Sequence, residues 1–344
     1  MSQSLSPRNP RPAFAARGLC ARLHGEGSNG VFMRILILGA GALGGYFGGR
    51  FHQAGLDPCF LVRPARAAQL ARDGLAISSP LGGYQAKVST ITAEALRPGW
   101  DLILLTCKAY DLPAAIEAIR PAMDGRSVIL PVLNGISHIK TLQESFGAES
   151  VLGGLAKIQA SLGPDGTIRH LNDWRWLTFG ETAGGISKRA EHIAAVMGAA
   201  PGMVATAVPN IMAQMWEKIV HLGTSALCTV LMRANVGEIA RAPGGIAFMH
   251  GVLEANAAIA AAEGFPVSDT FMQQYRGVFG DPASAYTASM LRDLEAGGRI
   301  EADHILGFLL ETAKGHGLPS SLHAAAFLHA KAYEQRRDAK RLPQ

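Results

Sequence analysis

Residues 36–50, LILGAGALGGYFGGR, decide the fold, because a short apolar run breaks there into closely spaced glycines. Gly39, Gly41 and Gly44 fit the spacing G-x-G-x-x-G between a predicted strand and a predicted helix. In that context the first glycine makes a tight turn, the second lets the backbone approach a pyrophosphate, and the third lets the helix pack on the strand. Ala42 and Leu43 fall at the predicted helix start, where free N–H groups attract phosphate. The stretch therefore predicts a dinucleotide-binding turn.

The segments after this turn alternate between strand-length apolar runs and helical patterns. DLILLTC (101–107) and SVILPVLNG (127–135) read as buried strands, and DLPAAIEAIRPAM (111–123) reads as a helix. Such alternation predicts a parallel sheet with right-handed crossovers, which is a Rossmann-type α/β domain. Residues 75–90 look like an inserted polar hairpin. Residues 151–207, with the turn signal GPDG, are expected to extend the same sheet with antiparallel strands.

Beyond residue 208 the pattern becomes helical almost throughout, with apolar residues at three- and four-residue spacing. We therefore predict a Rossmann domain over residues 33–208 and an all-helical domain over 209–338. Residues 1–32 are rich in Arg, Ser, Pro and Gly. A transit peptide is one interpretation of them, and a disordered extension ahead of the fold is the one we favour.

Composition narrows the class of protein. The chain has 344 residues, of which 48% are hydrophobic and 17% charged, as in globular proteins. Its net charge is +5, but residues 1–32 carry four arginines against one glutamate, so the body is too weakly basic to indicate nucleic acid. Four cysteines far apart in sequence favour a reducing, cytoplasmic setting, and no histidine or cysteine spacing predicts a metal site. No uninterrupted apolar run is long enough to predict a membrane helix.

The residue that follows the second predicted strand indicates the cofactor. NAD-binding domains usually carry an acidic residue about 20 positions after the glycines, to bind the ribose 2′-hydroxyl. Here Arg63 occupies that place, nineteen residues after Gly44, and Arg66 follows. Because a guanidinium binds a 2′-phosphate by charge-assisted hydrogen bonds, we predict NADP(H). A solvated surface arginine is the alternative interpretation.

Seven stretches in this order resemble the ketopantoate reductase family: ILGAGALGG, LVRP, LTCKAYDL, VLNGI, MWEKIV, SMLRDLEAGGRIEADHILGFLL and AKGHGLPSS. The resemblance covers nearly everything after Met33. It implies NADPH-dependent reduction of a 2-oxo acid, with the active site between a Rossmann domain and a helical domain. Ketopantoate, converted to pantoate for coenzyme A synthesis, would be the default substrate.

The resemblance also implies roles for individual residues. Lys218 matches the catalytic lysine of the family, and Glu301 matches its active-site glutamate. Asn134 matches an active-site asparagine that lies near cofactor and substrate, Lys108 a lysine near the nicotinamide, and Ser289 a substrate-binding serine. The reaction needs such groups, because hydride attack on a carbonyl carbon builds negative charge on the carbonyl oxygen. An ammonium group can hold and protonate that oxygen. Lysines on helices are nevertheless usually solvated, and Asn-Gly is a common turn.

The sequence departs from the family at three positions. Leu222 and Ala226, one and two helical turns after Lys218, replace asparagines, and so does Tyr286. These changes predict a more apolar pocket. They leave open a related enzyme for another 2-oxo acid, and a sensor that binds NADP(H) without catalysis is a third interpretation. His221 and His304 lie beside Lys218 and Glu301 in sequence and receive no assigned role. The Ala-rich helical half could form a homodimer or a monomer core.

Overall fold

The computed structural model describes residues 33–342, so the expected extension at residues 1–32 lies outside the described residues. Within this range the strands are, in chain order, β1 (Ile35–Leu38), β2 (Cys59–Leu61), β3 (Leu75–Ser78), β4 (Tyr84–Ala86), β5 (Ser89–Ile91), β6 (Leu102–Leu105), β7 (Val128–Pro131), β8 (Leu152–Leu162), β9 (Ile168–Glu181) and β10 (Val204–Ala207). The α-helices are α1 (Ala42–Gln53), α2 (Pro64–Asp73), α3 (Leu112–Ile119), α4 (Ser137–Phe146), α5 (Lys188–Gly198), α6 (Ile211–Met232), α7 (Val236–Arg241), α8 (Gly245–Ala262), α9 (Asp269–Gly280), α10 (Ser289–Glu295), α11 (Phe308–Gly315) and α12 (Ser321–Asp338).

The first sheet is parallel and has the strand order β5-β2-β1-β6-β7. Strands β2, β6 and β7 are buried on both faces, since every residue in them is buried. Chain order runs outward from β1 in both directions, so the carboxyl edge beside β1 is the switch point where such sheets bind dinucleotides. The predicted Rossmann-type domain is confirmed.

The segment expected to extend this sheet forms a second sheet instead. β8 and β9 pair antiparallel as expected, but β9 also pairs in parallel with β3 and β10, and β3 pairs with β4. The predicted hairpin at residues 75–90 therefore contributes β3 and β4 to the second sheet, while its end, β5, joins the first. Helix α1 packs against both sheets. Gly48 lies close to the side chains of Ile37 and Phe60 in the first sheet, and Gly45 and Gly49 lie close to those of Ile168 and Ile77 in the second.

The helical half begins with α6, which is separated from the last strand by three residues, and it has its own apolar core. Gly153 and Gly180 on β8 and β9 let α6 approach the second sheet, because a Cβ at either position would meet Ile211. This contact seats α6 beside the sheet, which positions Lys218 at the boundary between the two halves. Helix α8 is long and apolar enough to cross a membrane by length and composition, but it packs against α6 and α9.

Candidate active site

The glycine loop lies at the carboxyl end of β1, as predicted. Gly39 adopts a positive φ of 92° and donates its N–H to the Leu61 carbonyl at 2.9 Å, which ties β1 to β2. Gly44 lies so close to the turn that a Cβ there would be 2.3 Å from the Gly39 carbonyl oxygen. Gly41, by contrast, faces open space at the start of α1, and the first turn of that helix carries no acidic residue. This geometry fits a pyrophosphate held by the first N–H groups of α1.

The two arginines after β2 take different positions. Arg63 precedes α2 and is exposed, and its guanidinium makes no hydrogen bond or ion pair with the described residues. Arg66 instead turns back onto the glycine loop and donates to the Ala40 carbonyl at 2.9 Å and to the Gly166 carbonyl at 3.3 Å. Burial lowers the pKa of Arg66. Arg63 is therefore available to an anion beyond the loop, while Arg66 braces the loop itself.

Glu301 is the centre of a hydrogen-bonded cluster at the domain boundary. Its side chain is 5% exposed, and its Oε1 accepts the Ala109 N–H at 3.0 Å. Its Oε2 accepts from Asn134 Nδ2 at 3.4 Å and lies 3.8 Å from the Lys108 ammonium. Lys108 follows β6, Asn134 follows β7, and Glu301 comes from the helical half just before a π-helical turn at Asp303–Gly307. The structure thus brings three of the predicted residues into contact.

Lys108 has a second acidic partner, Asp293, that the sequence did not reveal. Its Nζ donates to Asp293 Oδ2 at 3.2 Å. Burial opposes the charge on Lys108, but Glu301 and Asp293 outweigh burial and raise the pKa of Lys108. Lys108 is therefore a fixed cation that joins the Rossmann half to α10.

Lys218, on α6 of the helical half, lies close enough to Glu301 for their charges to interact. Its ammonium donates to the Ala156 carbonyl on β8 at 3.0 Å, and no other described group accepts from it. Burial lowers the pKa of Lys218 from 10.5 to about 8, and the charge of Glu301 partly opposes that fall. Because an ammonium has three N–H bonds, two remain available to a bound oxygen. A lysine with a pKa near neutrality can both bind an anion and exchange a proton.

The other predicted residues lie around these two groups. Ser289 opens α10, one helical turn before Asp293, and its hydroxyl has no hydrogen-bond partner among the described residues. His221 bonds to Tyr286, with 3.0 Å between Nε2 and the phenolic oxygen. His304 lies beside Ser137, with 3.5 Å between Nδ1 and the hydroxyl. Within residues 33–342 no group of three or more His, Cys, Asp or Glu is placed to hold a metal ion.

Two features of the site escaped sequence reasoning. His138, on α4, is buried, its Nε2 has no hydrogen-bond partner, and burial, then His304 and Lys218, lower its pKa to about 3. Arg299 pairs with Asp111 at 3.0 Å and lies 3.9 Å from the ring centroid of Tyr110, a second contact between the halves. Sequence gives no signal for either, because each depends on residues that are far apart along the chain.

Two family models cover most of the chain. Residues 35–184 match "Ketopantoate reductase PanE/ApbA", and residues 210–334 match its C-terminal counterpart. The chain belongs to the ketopantoate reductase family. It is an oxidoreductase of the kind that uses a nicotinamide dinucleotide on a 2-oxo acid. The predicted family and enzyme class are therefore confirmed.

Curated relatives agree with the family models. "Uncharacterized oxidoreductase YkpB" of Bacillus subtilis is 33% identical over 88% of this chain and 99% of its own length. A 2-dehydropantoate 2-reductase of Halobacterium salinarum is 28% identical over 83% of this chain and 94% of its own. Both alignments span nearly the full length of these relatives, so both halves of the protein are shared with them.

Solved structures show the same fold. A PanE/ApbA family ketopantoate reductase from Ralstonia eutropha superposes with a TM-score of 0.80 at 25% identity, over 89% of this chain and all of the other. A D-mandelate dehydrogenase in complex with NADH and anilino(oxo)acetate superposes with a TM-score of 0.79 at 21% identity, over 89% of this chain and 99% of the other. At that identity the second match shows the fold alone.

Proposed function

We propose that this protein reduces a 2-oxo acid to the 2-hydroxy acid with NADPH, with Lys218 as the proton donor. The observation that carries the proposal is the Lys218 ammonium, held at the domain boundary with a pKa of about 8. A lysine of that pKa is mostly charged at neutral pH, yet it can give up its proton within the reaction. A sensor without catalysis would need no such group.

The residues of the site divide the work of the reaction. The reduced nicotinamide supplies the hydride to the carbonyl carbon of the substrate. Lys218 holds the carbonyl oxygen, stabilises the negative charge that develops there, and donates its proton to it. Glu301 keeps Lys218 charged through its own negative charge. Asn134 and Ser289 offer uncharged polar groups that orient a small substrate, and Lys108 supplies positive potential for its carboxylate.

The choice of NADPH rests on Arg63. It stands at the carboxyl edge of β2 next to the glycine loop and is exposed, and its guanidinium has no partner among the residues described. A 2′-phosphate bound there would gain charge-assisted hydrogen bonds that NADH cannot make. Arg66 supports the same site indirectly, by holding the Ala40 carbonyl in place.

Ketopantoate is the reference substrate, because the family models and several curated relatives carry that activity in their names. A place in pantothenate synthesis and a cytoplasmic location belong to the same proposal, and the dispersed cysteines support the location. A homodimer is part of the proposal only as an expectation from the Ala-rich helical half.

The test is loss of NADPH absorbance in the presence of a panel of 2-oxo acids that includes ketopantoate. Turnover of at least one acid with NADPH, and much slower turnover with NADH, is expected. Tight NADPH binding without turnover of any acid would contradict the proposal and favour a sensor.

A further inference from the structure

A cluster of rings covers the part of α6 that follows Lys218, and we call it the aromatic wall. It comprises His221, Tyr275, Phe279 and Tyr286. His221 stacks on Tyr275 with ring centroids 4.5 Å apart and an interplanar angle of 26°, and on Tyr286 at 5.8 Å and 23°. Phe279 lies 6.1 Å from His221. Three elements, α6, α9 and the segment before α10, thus meet in one stacked surface.

The aromatic wall borders the site that holds Lys218. His221 follows Lys218 by three residues, so both lie on the same face of α6. The charge of Lys218 also contributes, after burial, to lowering the pKa of His221 to about 4. Tyr286 precedes Ser289, the first residue of α10, by three residues. The same helix carries Asp293, which binds Lys108. The wall therefore lies between the proton donor and the start of α10.

Two polar groups of the wall are engaged with each other. His221 Nε2 and the Tyr286 hydroxyl lie 3.0 Å apart. Both groups are neutral at pH 7, because burial lowers the pKa of His221 and raises the pKa of Tyr286. Their hydrogen bond occupies both groups, so the wall offers mainly ring surface beside Lys218. A substrate hydroxyl against that surface would lose its water without gaining a partner.

The neighbouring positions on α6 are apolar as well. Leu222 follows Lys218 by one turn and is partly buried, and Ala226 follows by two turns and is 2% exposed. Neither side chain can bind a hydroxyl. The helix face beside Lys218 and the aromatic wall consequently offer the same apolar chemistry to the part of the substrate that lies next to the reacting carbonyl.

Resting on the proposed function, we propose that the aromatic wall selects a 2-oxo acid with an apolar, aliphatic or aromatic group at the carbon next to the carbonyl. The wall discriminates against ketopantoate, whose hydroxymethyl group finds no partner there. The reacting groups are unchanged: hydride goes to the carbonyl carbon and the proton of Lys218 to its oxygen.

The test compares two acids that differ by one group. Trimethylpyruvate carries a methyl group where ketopantoate carries hydroxymethyl, and neither can enolise. We expect kcat/KM with NADPH to be about tenfold or more higher for trimethylpyruvate, in the range that a buried hydroxyl without a partner costs. Phenylpyruvate should also be turned over faster than ketopantoate.

Variants connect the preference to the wall. Tyr286→Asn places an amide beside His221 and should lower the ratio of trimethylpyruvate to ketopantoate about tenfold. Tyr286→Phe keeps the ring but frees His221 Nε2 to bind the hydroxymethyl group, so it too should lower the ratio. The matched control is Tyr84→Asn, because Tyr84 on β4 makes a similar bond to His52, at 2.7 Å, far from Lys218 in the second sheet. Leu222→Asn is a second route to the same change.

The outcomes separate the two proposals. A wild-type preference for ketopantoate would overturn the inference about the wall while supporting the reductase. A preference for trimethylpyruvate that neither Tyr286→Asn nor Leu222→Asn reduces would also overturn it. Absence of turnover with every acid would overturn the proposed function and the inference with it.

Discussion

Raising the pH through the pKa of Lys218 should switch the reduction off, because the neutral amine has no proton to give to the carbonyl oxygen. Burial lowers that pKa from 10.5 to about 8. A change of this size corresponds to about 3 kcal/mol against the charged form. At pH 7 the ammonium is then about nine-tenths populated, and at pH 9 about one-tenth, so kcat/KM should fall about tenfold between them.

The assay is kcat/KM for NADPH oxidation between pH 6 and pH 10, together with the reverse oxidation of the hydroxy acid. The reverse reaction needs the neutral amine as a base, so its rate should rise with pH through the same pKa. Glu301→Gln removes the negative charge that raises the pKa of Lys218, so the fall in reduction should move to lower pH. Glu311→Gln, an exposed change on α11, is the matched control and should leave the profile in place.

A reduction rate that stays constant up to pH 10 would refute the assignment of the proton donor. So would a profile that Glu301→Gln leaves unmoved, since Glu301 would then have no electrostatic influence on the donor. A fall near pH 8 that persists in the residual activity of Lys218→Met would show that another group titrates.

The remaining predictions concern the cofactor and acid stability. Arg63→Ala should weaken NADPH binding about tenfold or more and NADH binding little, measured by fluorescence titration. Arg72→Ala, an exposed change near the end of α2, should change neither, and equal losses for Arg63→Ala would argue against a 2′-phosphate at Arg63. Arg66→Ala should weaken the binding of NADPH and NADH equally and lower Tm, because the Ala40 carbonyl loses the hydrogen bond from Arg66. Weaker binding of NADPH alone would instead make Arg66 the ligand of the 2′-phosphate. The pKa of His138 is about 3 in the folded protein against an ordinary 6.5. The unfolded chain therefore binds more protons between these values, and stability falls as pH drops through the window. At pH 4 the neutral His138 lowers the free energy of unfolding by about 3 kcal/mol. Urea unfolding of His138→Asn should therefore show a smaller loss of that free energy between pH 7 and pH 4 than the wild-type protein shows. An unchanged loss would contradict a neutral buried imidazole.

Much of the Rossmann half could be predicted because its signals are local. The strand before Gly39, the glycine spacing and the helix after it occupy nineteen consecutive residues, Ile35 to Gln53, and each constrains its neighbours. The second sheet could not be predicted in the same way. β3 pairs with β9, some ninety residues later, and no short-range pattern distinguishes that pairing from an extension of the first sheet.

The site shows the same division. Lys218, Glu301, Asn134 and Lys108 were found through a resemblance in motif order, and the structure brings the last three together. Asp293, the second partner of Lys108, could not be found, because an aspartate on a helix gives no sign of a partner 185 residues away. Leu222, Ala226 and Tyr286 predicted an apolar pocket. The sequence could not show the hydrogen bond between Tyr286 and His221, on which the inference about substrate choice depends.

The central claim is that the Lys218 ammonium, from the helical half, protonates a carbonyl oxygen presented from the cofactor-binding half. Its most direct test is Lys218→Ala, measured for both NADPH affinity and kcat with the best substrate of the panel, beside Lys314→Ala as an exposed control. The account predicts an unchanged Kd for NADPH and a kcat lower by about 10² to 10⁴. A kcat equal to that of the wild-type protein would contradict it.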